Sequence, residues 1–366
     1  MTRAKKASAC IVGSPALEAC VAALVTASAL AAADSTPLPR GVAGGKTDLV
    51  AEIGYSTKRE PLAAAEQATR SMLSKLKAGR RRPAVVLFLE RTGRAKAADG
   101  PRVGDRVKQL AAAPTYGSGG PTGTWGPTWW AKQDREAGFQ VLGLAGEVTA
   151  RAHVAGGALP AEPGGLRDRA EVLGRQVDPS GGGRLGLLFC GAGSGAGEYL
   201  SALRRSVVTD VPLIGAVGEP GDYVYADGRP LTDPAGKPAA AGQLLLMLEA
   251  PVKVAFAGIV SRNEADAPSV LAEADLASGH AMKQLAGRPP DVVFAFSSVG
   301  RFRTCSLNDP RKELARLQAA FGRVVPVFGG FCRFQMGVDS AGRFSVGRER
   351  LMLVAISGGK AKEKAR

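Results

Sequence analysis

The stretch PPDVVFAFSS at 289–298, followed by RKELARLQAAFG at 311–322 and VVPVFGGF at 324–331, alternates apolar runs with a helical pattern. The first run, 292–296, is short, continuous and β-prone, which is typical of a strand buried on both faces. Leu314, Leu317 and Phe321 recur at helical spacing, and Gly322 is placed to end that helix. The next strand is predicted at 324–328, before Gly329-Gly330. The stretch therefore predicts a strand–helix–strand unit.

Units of the same kind occur along most of the chain, so the sequence predicts an α/β fold, with α+β as the alternative. We expect two packed halves, 47–261 and 262–358, with mixed, largely buried sheets flanked by helices. Two segments are predicted as loops: 114–127, which contains Trp125 and leads into Trp129 and Trp130, and most of 151–183. Asp227-Gly228 is a hairpin signal, with 243–249 as the returning strand. The remaining predictions are strands at 47–56, 83–90, 139–148, 185–190, 211–218, 252–260, 344–346 and 351–356, and helices at 61–77, 103–113, 166–173 and 271–286.

Composition limits the possible partners and cofactors. The chain has 366 residues, 45% of them hydrophobic, and a formal net charge of +15. Such a charge favours anionic partners, but the basic clusters lack interleaved aromatic residues and no nucleic-acid motif is present, so nucleic-acid binding is not expected. There are two histidines and no CxxC pair, so neither a metal site nor a cofactor is predicted.

The two ends are predicted to lie outside the fold. Residues 1–46 combine a basic start, an apolar run at 21–30 and three alanines ending at Ala33, the outline of a secretory signal, although Glu18 interrupts it. Export with cleavage near Ala33 is one reading, and a disordered leader on a cytoplasmic protein is the other. Residues 359–366 read as a disordered basic tail. No segment is long and apolar enough to predict a transmembrane span.

A glycine-rich loop follows the strand that ends at Cys190. Gly191, Gly193 and Ala196 fit a loose G-x-G-x-x-A pattern that opens a helix, and Gly191, Gly193 and Gly195 are candidate anion-binding residues. This pattern supports an alternative function, an enzyme that uses a nucleotide cofactor. Cys190 itself is a poor candidate nucleophile because no His-Asp order accompanies it.

Several glycine-bearing motifs resemble the FIST domain family, which pairs an N-terminal and a C-terminal FIST unit. The resemblance covers about 48–357. It rests on Gly143, Gly146 and Glu147, on Leu213-Ile214-Gly215-Ala216 with Gly221-Asp222, on Arg301, on Gly330-Phe331 and on the last strand at 351–356. The family's Gly-Glu after Gly-Phe is replaced here by Phe334-Gln335-Met336, so the chain is predicted to be a divergent member.

This resemblance implies a bacterial, non-catalytic sensory domain that binds a small molecule, with anionic and amino-acid-like compounds as the candidates, and signals through a partner. The partner would be a histidine kinase, a chemotaxis receptor or a nucleotide cyclase. Arg301 is the first candidate for an anionic group because its planar fork can bind a carboxylate with two hydrogen bonds. An internal ion pair is the alternative for Arg301. The other candidate ligand contacts are Glu147, Asp222, Gly215, Gly330 and Phe331.

Overall fold

A computed structural model describes most of the chain from Leu49 to Gly358. The described residues are 49–91, 100–119, 138–157, 159–160, 162–177, 185–191, 195–207, 211–218, 222–229, 231, 233, 235, 239, 242–260, 267–301, 311–338, 344–347 and 350–358. The predicted leader, the predicted tail, Gly193 and the three tryptophans lie outside the described residues.

The described residues contain fifteen strands and six helices of at least three turns. The strands are β1 Val50–Ser56, β2 Val85–Arg91, β3 Thr115–Gly119, β4 Gly138–Ala145, β5 Thr149–Gly156, β6 Leu185–Gly191, β7 Leu213–Gly218, β8 Tyr223–Ala226, β9 Gly242–Glu249, β10 Lys253–Val260, β11 Val292–Ser298, β12 Val327–Cys332, β13 Phe334–Val338, β14 Phe344–Gly347 and β15 Arg350–Ser357. The helices are α1 Pro61–Ala78, α2 Gly100–Ala111, α3 Pro163–Arg175, α4 Ala196–Ser206, α5 Ala267–Gln284 and α6 Arg311–Phe321.

The strands form three sheets that repeat one topology. The first repeat, 50–145, has the strand order β1-β4-β2-β3; the second, 149–249, has β5-β9-β6-β7; and the third, 253–357, has β10-β15-β11-β12. In each sheet the two strands at the end of this order are parallel, and the others are antiparallel. Each repeat therefore runs strand, helix, strand, helix, strand and then returns to the middle of its own sheet.

Two sheets are extended by strands from the following repeat. Strand β8 of the second repeat pairs with the edge strand β3 of the first sheet. Strand β13 of the third repeat pairs with the edge strand β7 of the second sheet, and β14 follows it. The repeats are thus joined by backbone hydrogen bonds.

Both faces of each sheet are buried. Alternate side chains of all three sheets meet in one shared apolar core, which includes Leu87, Phe189 and Phe294. The opposite faces are covered by helices: α1 and α2 on the first sheet, α3 and α4 on the second, and α5 and α6 on the third. Burial on both faces explains why the central strands read as continuous apolar runs.

Local signals position the helices. Pro61 occupies the first turn of α1, where its missing N–H costs nothing, and the Glu60 carboxylate accepts hydrogen bonds from the backbone N–H groups of Leu62 and Ala63. Helix α6 ends where expected, before Gly322, whose φ is 107°. No helix of the described residues is both long and apolar enough to cross a membrane.

The predicted α/β class with mixed, buried sheets flanked by helices is confirmed. Three local predictions are wrong. Strand β3 lies inside the predicted loop at 114–127, strand β5 begins at Thr149 and extends to Gly156 within the predicted loop region at 151–183, and the strand predicted at 324–328 begins only at Val327. The division into two halves near Ser261 stays a prediction.

The predicted hairpin is also wrong, although its turn is present. Asp227 and Gly228 both have positive φ, 55° and 76°, as the dipeptide predicts. However, β8 pairs with β3 rather than with 243–249, because the turn is held by Thr115 of the first repeat. The Thr115 N–H donates to the Asp227 carboxylate at 3.0 Å, and the Asp227 N–H donates to the Thr115 carbonyl at 2.8 Å.

A buried amide joins the first sheet to the third. The Gln140 side chain of β4 donates to the Gly329 carbonyl at 2.7 Å and accepts from the Gly329 N–H at 3.3 Å. Gly329 has a φ of 141°, and a Cβ there would lie 1.9 Å from the Ala295 carbonyl oxygen. Only glycine fits this close approach between strands β11 and β12.

We therefore predict that Gly329→Ala lowers the free energy of unfolding by about 3 kcal/mol or more, because the added Cβ meets backbone and the φ is strained. The matched control is Gly279→Ala in helix α5, where a Cβ meets nothing within 4 Å. That control is expected to raise stability by about 0.5–1 kcal/mol. Urea unfolding followed by circular dichroism measures both, and equal midpoints for the two variants would contradict the account.

Candidate functional site

In each repeat one outward-facing side chain lies near the carboxyl end of the central parallel strand, beneath the helices. By strand register these residues are equivalent: Glu90 pairs with Gly119 and Phe139, Cys190 with Val217 and Gln243, and Ser297 with Phe331 and Leu351. Ligands of open α/β sheets bind at the carboxyl ends of parallel strands. The polar groups around these three positions are therefore the candidate ligand contacts.

In the third repeat, the buried Arg301 side chain pairs with the polar groups around Ser297. Its guanidinium donates to the buried Glu313 carboxylate from Nε at 3.0 Å and from Nη2 at 2.7 Å, and Nη2 also donates to the Val270 carbonyl at 2.9 Å. Nη1 donates to Glu273. The Ser297 hydroxyl donates to the other oxygen of Glu313 at 2.8 Å. Two helices and one strand end are thereby held by a single guanidinium.

The charge state of this cluster is fixed. Burial alone lowers the pKa of Arg301, but the Glu313 and Glu273 carboxylates outweigh that effect, and the net pKa is raised. The guanidinium is therefore charged at every pH at which the protein folds. Arg301 here forms the internal ion pair that was the alternative interpretation of its sequence. Its role as a ligand contact stays a prediction.

In the second repeat, the equivalent position contains buried polar atoms without partners. Cys190 and Gln243 are directly paired across β6 and β9 and share the face beneath α3 and α4. The Tyr199 hydroxyl and the Gln243 Oε1 atom are buried, and neither has a hydrogen-bond partner in the described part of the chain. A buried polar group without a partner costs about 1–3 kcal/mol.

Arg169 of α3 stands beside these atoms. It is half-buried and makes no hydrogen bond or ion pair within the described ranges. A Cβ at Gly157 would lie 3.2 Å from its Nη2 atom, and the Gly157 carbonyl accepts a hydrogen bond from Gln243 Nε2 at 3.0 Å. The guanidinium and the Gln243 amide therefore both lie beside Gly157.

Electrostatics link the same groups. Burial raises the pKa of the Cys190 thiol, the nearby Asp222 carboxylate raises it further, and Arg169 acts in the opposite direction. Burial also raises the pKa of Tyr199 well above its usual value, with a further contribution from Cys190. At neutral pH the thiol and the phenol are both neutral. We call Cys190, Tyr199, Gln243, Arg169 and the nearby Asp222 the second-repeat cluster.

The structure separates the predicted site residues. Asp222 is buried and belongs to the second-repeat cluster. Gly330 and Phe331 are buried in β12 of the third sheet, in the same repeat as Arg301. Glu147 is exposed in the turn between β4 and β5, near the opposite end of the parallel strands.

The remaining predicted contacts are glycines that packing explains. Gly215 lies within β7, where a Cβ would come within 2.7 Å of the Leu188 Cβ. Gly191 ends β6, and Gly195 precedes α4, where a Cβ would lie 2.1 Å from Leu166 of α3. Whether any of them contacts a ligand stays a prediction.

Sequence reasoning missed Tyr199, Gln243, Arg169 and Glu313. One signal was available for two of them, because Tyr199 and Glu313 occupy apolar-stripe positions of their helices. Tyr199, Leu200 and Leu203 have the same spacing as Glu313, Leu314 and Leu317, and all six side chains are buried. A polar residue at such a position needs a partner.

Comparisons with known proteins find similarity only at the level of structure. No protein-family model and no curated protein sequence matches the chain. A solved structure titled cyanuric acid hydrolase from A. caulinodans has a TM-score of 0.41 at 11% identity, covering 84% of this chain and 99% of that one. The PurLQS structure from Thermotoga maritima has a TM-score of 0.28 at 10% identity, covering 87% and 75%. A phosphoribosylformylglycinamidine synthase II from Thermotoga maritima has a TM-score of 0.28 at 9% identity, covering 88% and 74%.

The prediction that the chain is not an enzyme is contradicted, because a hydrolase and a synthase are among the solved structures similar to this chain. None of them bears on the FIST resemblance, which stays a prediction.

We predict that Arg301→Ala lowers the free energy of unfolding by about 3–5 kcal/mol, because it leaves the buried Glu313 carboxylate without its partner. Ethylguanidinium at millimolar concentration should restore part of this loss by entering the vacated space. Arg175→Ala is the control: its pair with Glu171 is exposed, so the change should be below about 1 kcal/mol. A ligand-binding Arg301 would instead tolerate the substitution, and thermal unfolding distinguishes the two results.

We also predict that Cys190 and Cys332 do not react with a thiol reagent in the native protein. Both are buried, and burial raises the pKa of Cys332 to about 12, so neither forms a thiolate at pH 8. A variant with Cys10, Cys20 and Cys305 replaced by Ser isolates these two thiols. Its reaction with Ellman's reagent should begin only when denaturant unfolds the chain, and rapid modification of either thiol in native buffer would contradict the prediction.

Proposed function

We propose that this protein binds a small polar molecule at the second-repeat cluster and serves as a sensory domain. The observation that carries the proposal is the half-buried Arg169 guanidinium without an ion-pair partner in the described part of the chain. It stands beside two buried polar atoms, the Tyr199 hydroxyl and Gln243 Oε1, that also have no partner there.

The energetics support a ligand at this cluster. Each unpartnered buried group reduces the stability of the free protein by about 1–3 kcal/mol, and a molecule that supplies the missing partners recovers that energy on binding. The third repeat shows the contrast, because there the internal Arg301 satisfies the equivalent groups. Within the described residues, no internal group takes the place of Arg301 in the second repeat, and this supports a molecule from solution as the missing partner.

The sensory part of the proposal needs a partner protein to receive the signal. A histidine kinase, a chemotaxis receptor or a nucleotide cyclase is the class of partner that the family resemblance implies. Affinity purification of the tagged chain, with and without the ligand identified below, tests this part. Recovery of none of these partner classes under either condition would remove it and leave the binding site intact.

We predict that a thermal-shift screen of small carboxylates, amino acids and nucleotides finds a stabilising compound. A ligand at one hundred times its Kd stabilises the native state by about 2.7 kcal/mol. Tyr199→Phe should preserve or slightly raise the stability of the free protein, because it removes an unpartnered buried hydroxyl, and should reduce the ligand-induced shift.

The matched pair for this screen is Arg169→Gln and Arg167→Gln, both in helix α3. Arg167 pairs with Glu198 at the surface, at 2.9 Å, and lies outside the cluster. The first substitution should abolish the shift and the second should preserve it. A shift that survives both Tyr199→Phe and Arg169→Gln would place the binding elsewhere and refute the proposal.

A further inference from the structure

The third repeat indicates what shape of group the second-repeat cluster accepts. We infer that its ligand carries one planar monoanionic carboxylate together with a hydroxyl or amino group that donates a hydrogen bond to Gln243. The inference rests on the proposed function, because it names the ligand class of the same site.

The two clusters occupy equivalent positions. Cys190 and Ser297 share one strand register, and Tyr199 and Glu313 share one helical stripe. Arg169 immediately precedes the buried pair Ala170 and Leu173 of α3, and Glu273 immediately precedes the equally spaced buried pair Ala274 and Ala277 of α5. Arg169 lies as many positions after Ala155, which pairs with Gln243, as Glu273 lies after Ile259, which pairs with Leu351.

The charge is inverted at one of these equivalent positions and lost at the other. In the third repeat, the carboxylates of Glu313 and Glu273 hold a planar cation, the Arg301 guanidinium. In the second repeat, the carboxylate of Glu273 is replaced by the Arg169 guanidinium and that of Glu313 by the neutral Tyr199 phenol. A carboxylate is the planar anion that pairs with a guanidinium through two parallel hydrogen bonds. The second-repeat cluster is therefore suited to a carboxylate rather than to a cation.

Gln243 adds the requirement for a donor. Its Nε2 atom is fixed by the Gly157 carbonyl, so the amide cannot exchange its two ends without losing that bond. Among the described residues Oε1 has no hydrogen-bond partner, and an amide oxygen only accepts hydrogen bonds. The equivalent position of the third repeat is Leu351, which makes no such demand. A ligand that satisfies Gln243 must therefore present an O–H or N–H group.

Neighbouring negative charge limits the ligand to a single negative charge. The Asp222 carboxylate is close enough to raise the pKa of the Cys190 thiol, and it is buried. Arg169 is the cation of this cluster, and it acts on both Cys190 and Tyr199. One guanidinium balances one carboxylate, and a second negative charge would be repelled by Asp222 without compensation.

Isothermal titration calorimetry with three compounds of one carbon skeleton tests the inference: propionate, which has no donor, and lactate and alanine, which carry one. Malonate supplies the dianion and lactamide the neutral analogue. Lactate or alanine should bind about tenfold more tightly than propionate, the increment of one hydrogen bond to an otherwise unpaired buried group. Malonate and lactamide should bind more weakly than the better of the two.

Gln243→Leu, which places the residue of the third repeat in the second, should remove the preference for the donor, so that propionate, lactate and alanine bind with similar affinity. Gln243→Met, closer in shape, serves if the leucine variant does not fold. Equal affinities of propionate, lactate and alanine for the unaltered protein would overturn the donor requirement, and tighter binding of malonate or lactamide would overturn the monoanion. If no compound binds, and the wider thermal-shift screen also finds none, the proposed function fails with it. A hit in that wider screen outside this class refutes the inference alone.

Discussion

Burial of both faces of every sheet is the constraint on which the rest of this structure depends. One face of each sheet contributes to a core shared by all three repeats, and the other packs beneath two helices. A polar side chain on such a strand has no route to bulk water, so it must find a partner within the protein or from a ligand. Gln140 meets this requirement by pairing with the backbone of Gly329 in another sheet.

The three repeats place different polar groups at the equivalent buried position. The first repeat has a buried carboxylate, Glu90, which faces Tyr223 across Gly119. The third has a serine and two carboxylates closed by Arg301. The second has a thiol, a phenol and an amide with a guanidinium beside them, and no group among the described residues pairs with the phenol hydroxyl or the amide oxygen. Divergence at equivalent positions of one scaffold thus separates a structural ion pair from a candidate binding site, since function is determined by the site rather than by the fold.

The repeats are joined through the edge strands of their sheets. An exposed edge presents unpaired backbone groups, and here β8 covers the edge of the first sheet and β13 that of the second. The covering strands come from the following repeat, so neither sheet is complete without its neighbour. This explains why the Asp227-Gly228 turn could be recognised while the partner of its strand could not: the turn is local, and the pairing spans more than a hundred residues.

The sequence alone determined the α/β class, most of the buried strands and helices, and the positions where glycine or proline ends an element, because these follow from hydrophobic period and local backbone geometry. It also contains a trace of the repeat: AGRRRPAVVLFLE at 78–90 resembles AGRPPDVVFAFSS at 286–298. Only the tertiary structure decided that Arg301 pairs with Glu313 and that Tyr199, Gln243 and Arg169 converge. Arg301 and Glu313 are 12 positions apart, and Tyr199, Gln243 and Arg169 lie on three separate elements. A polar side chain in a strand or helix carries no local signal of which group from another element will meet it.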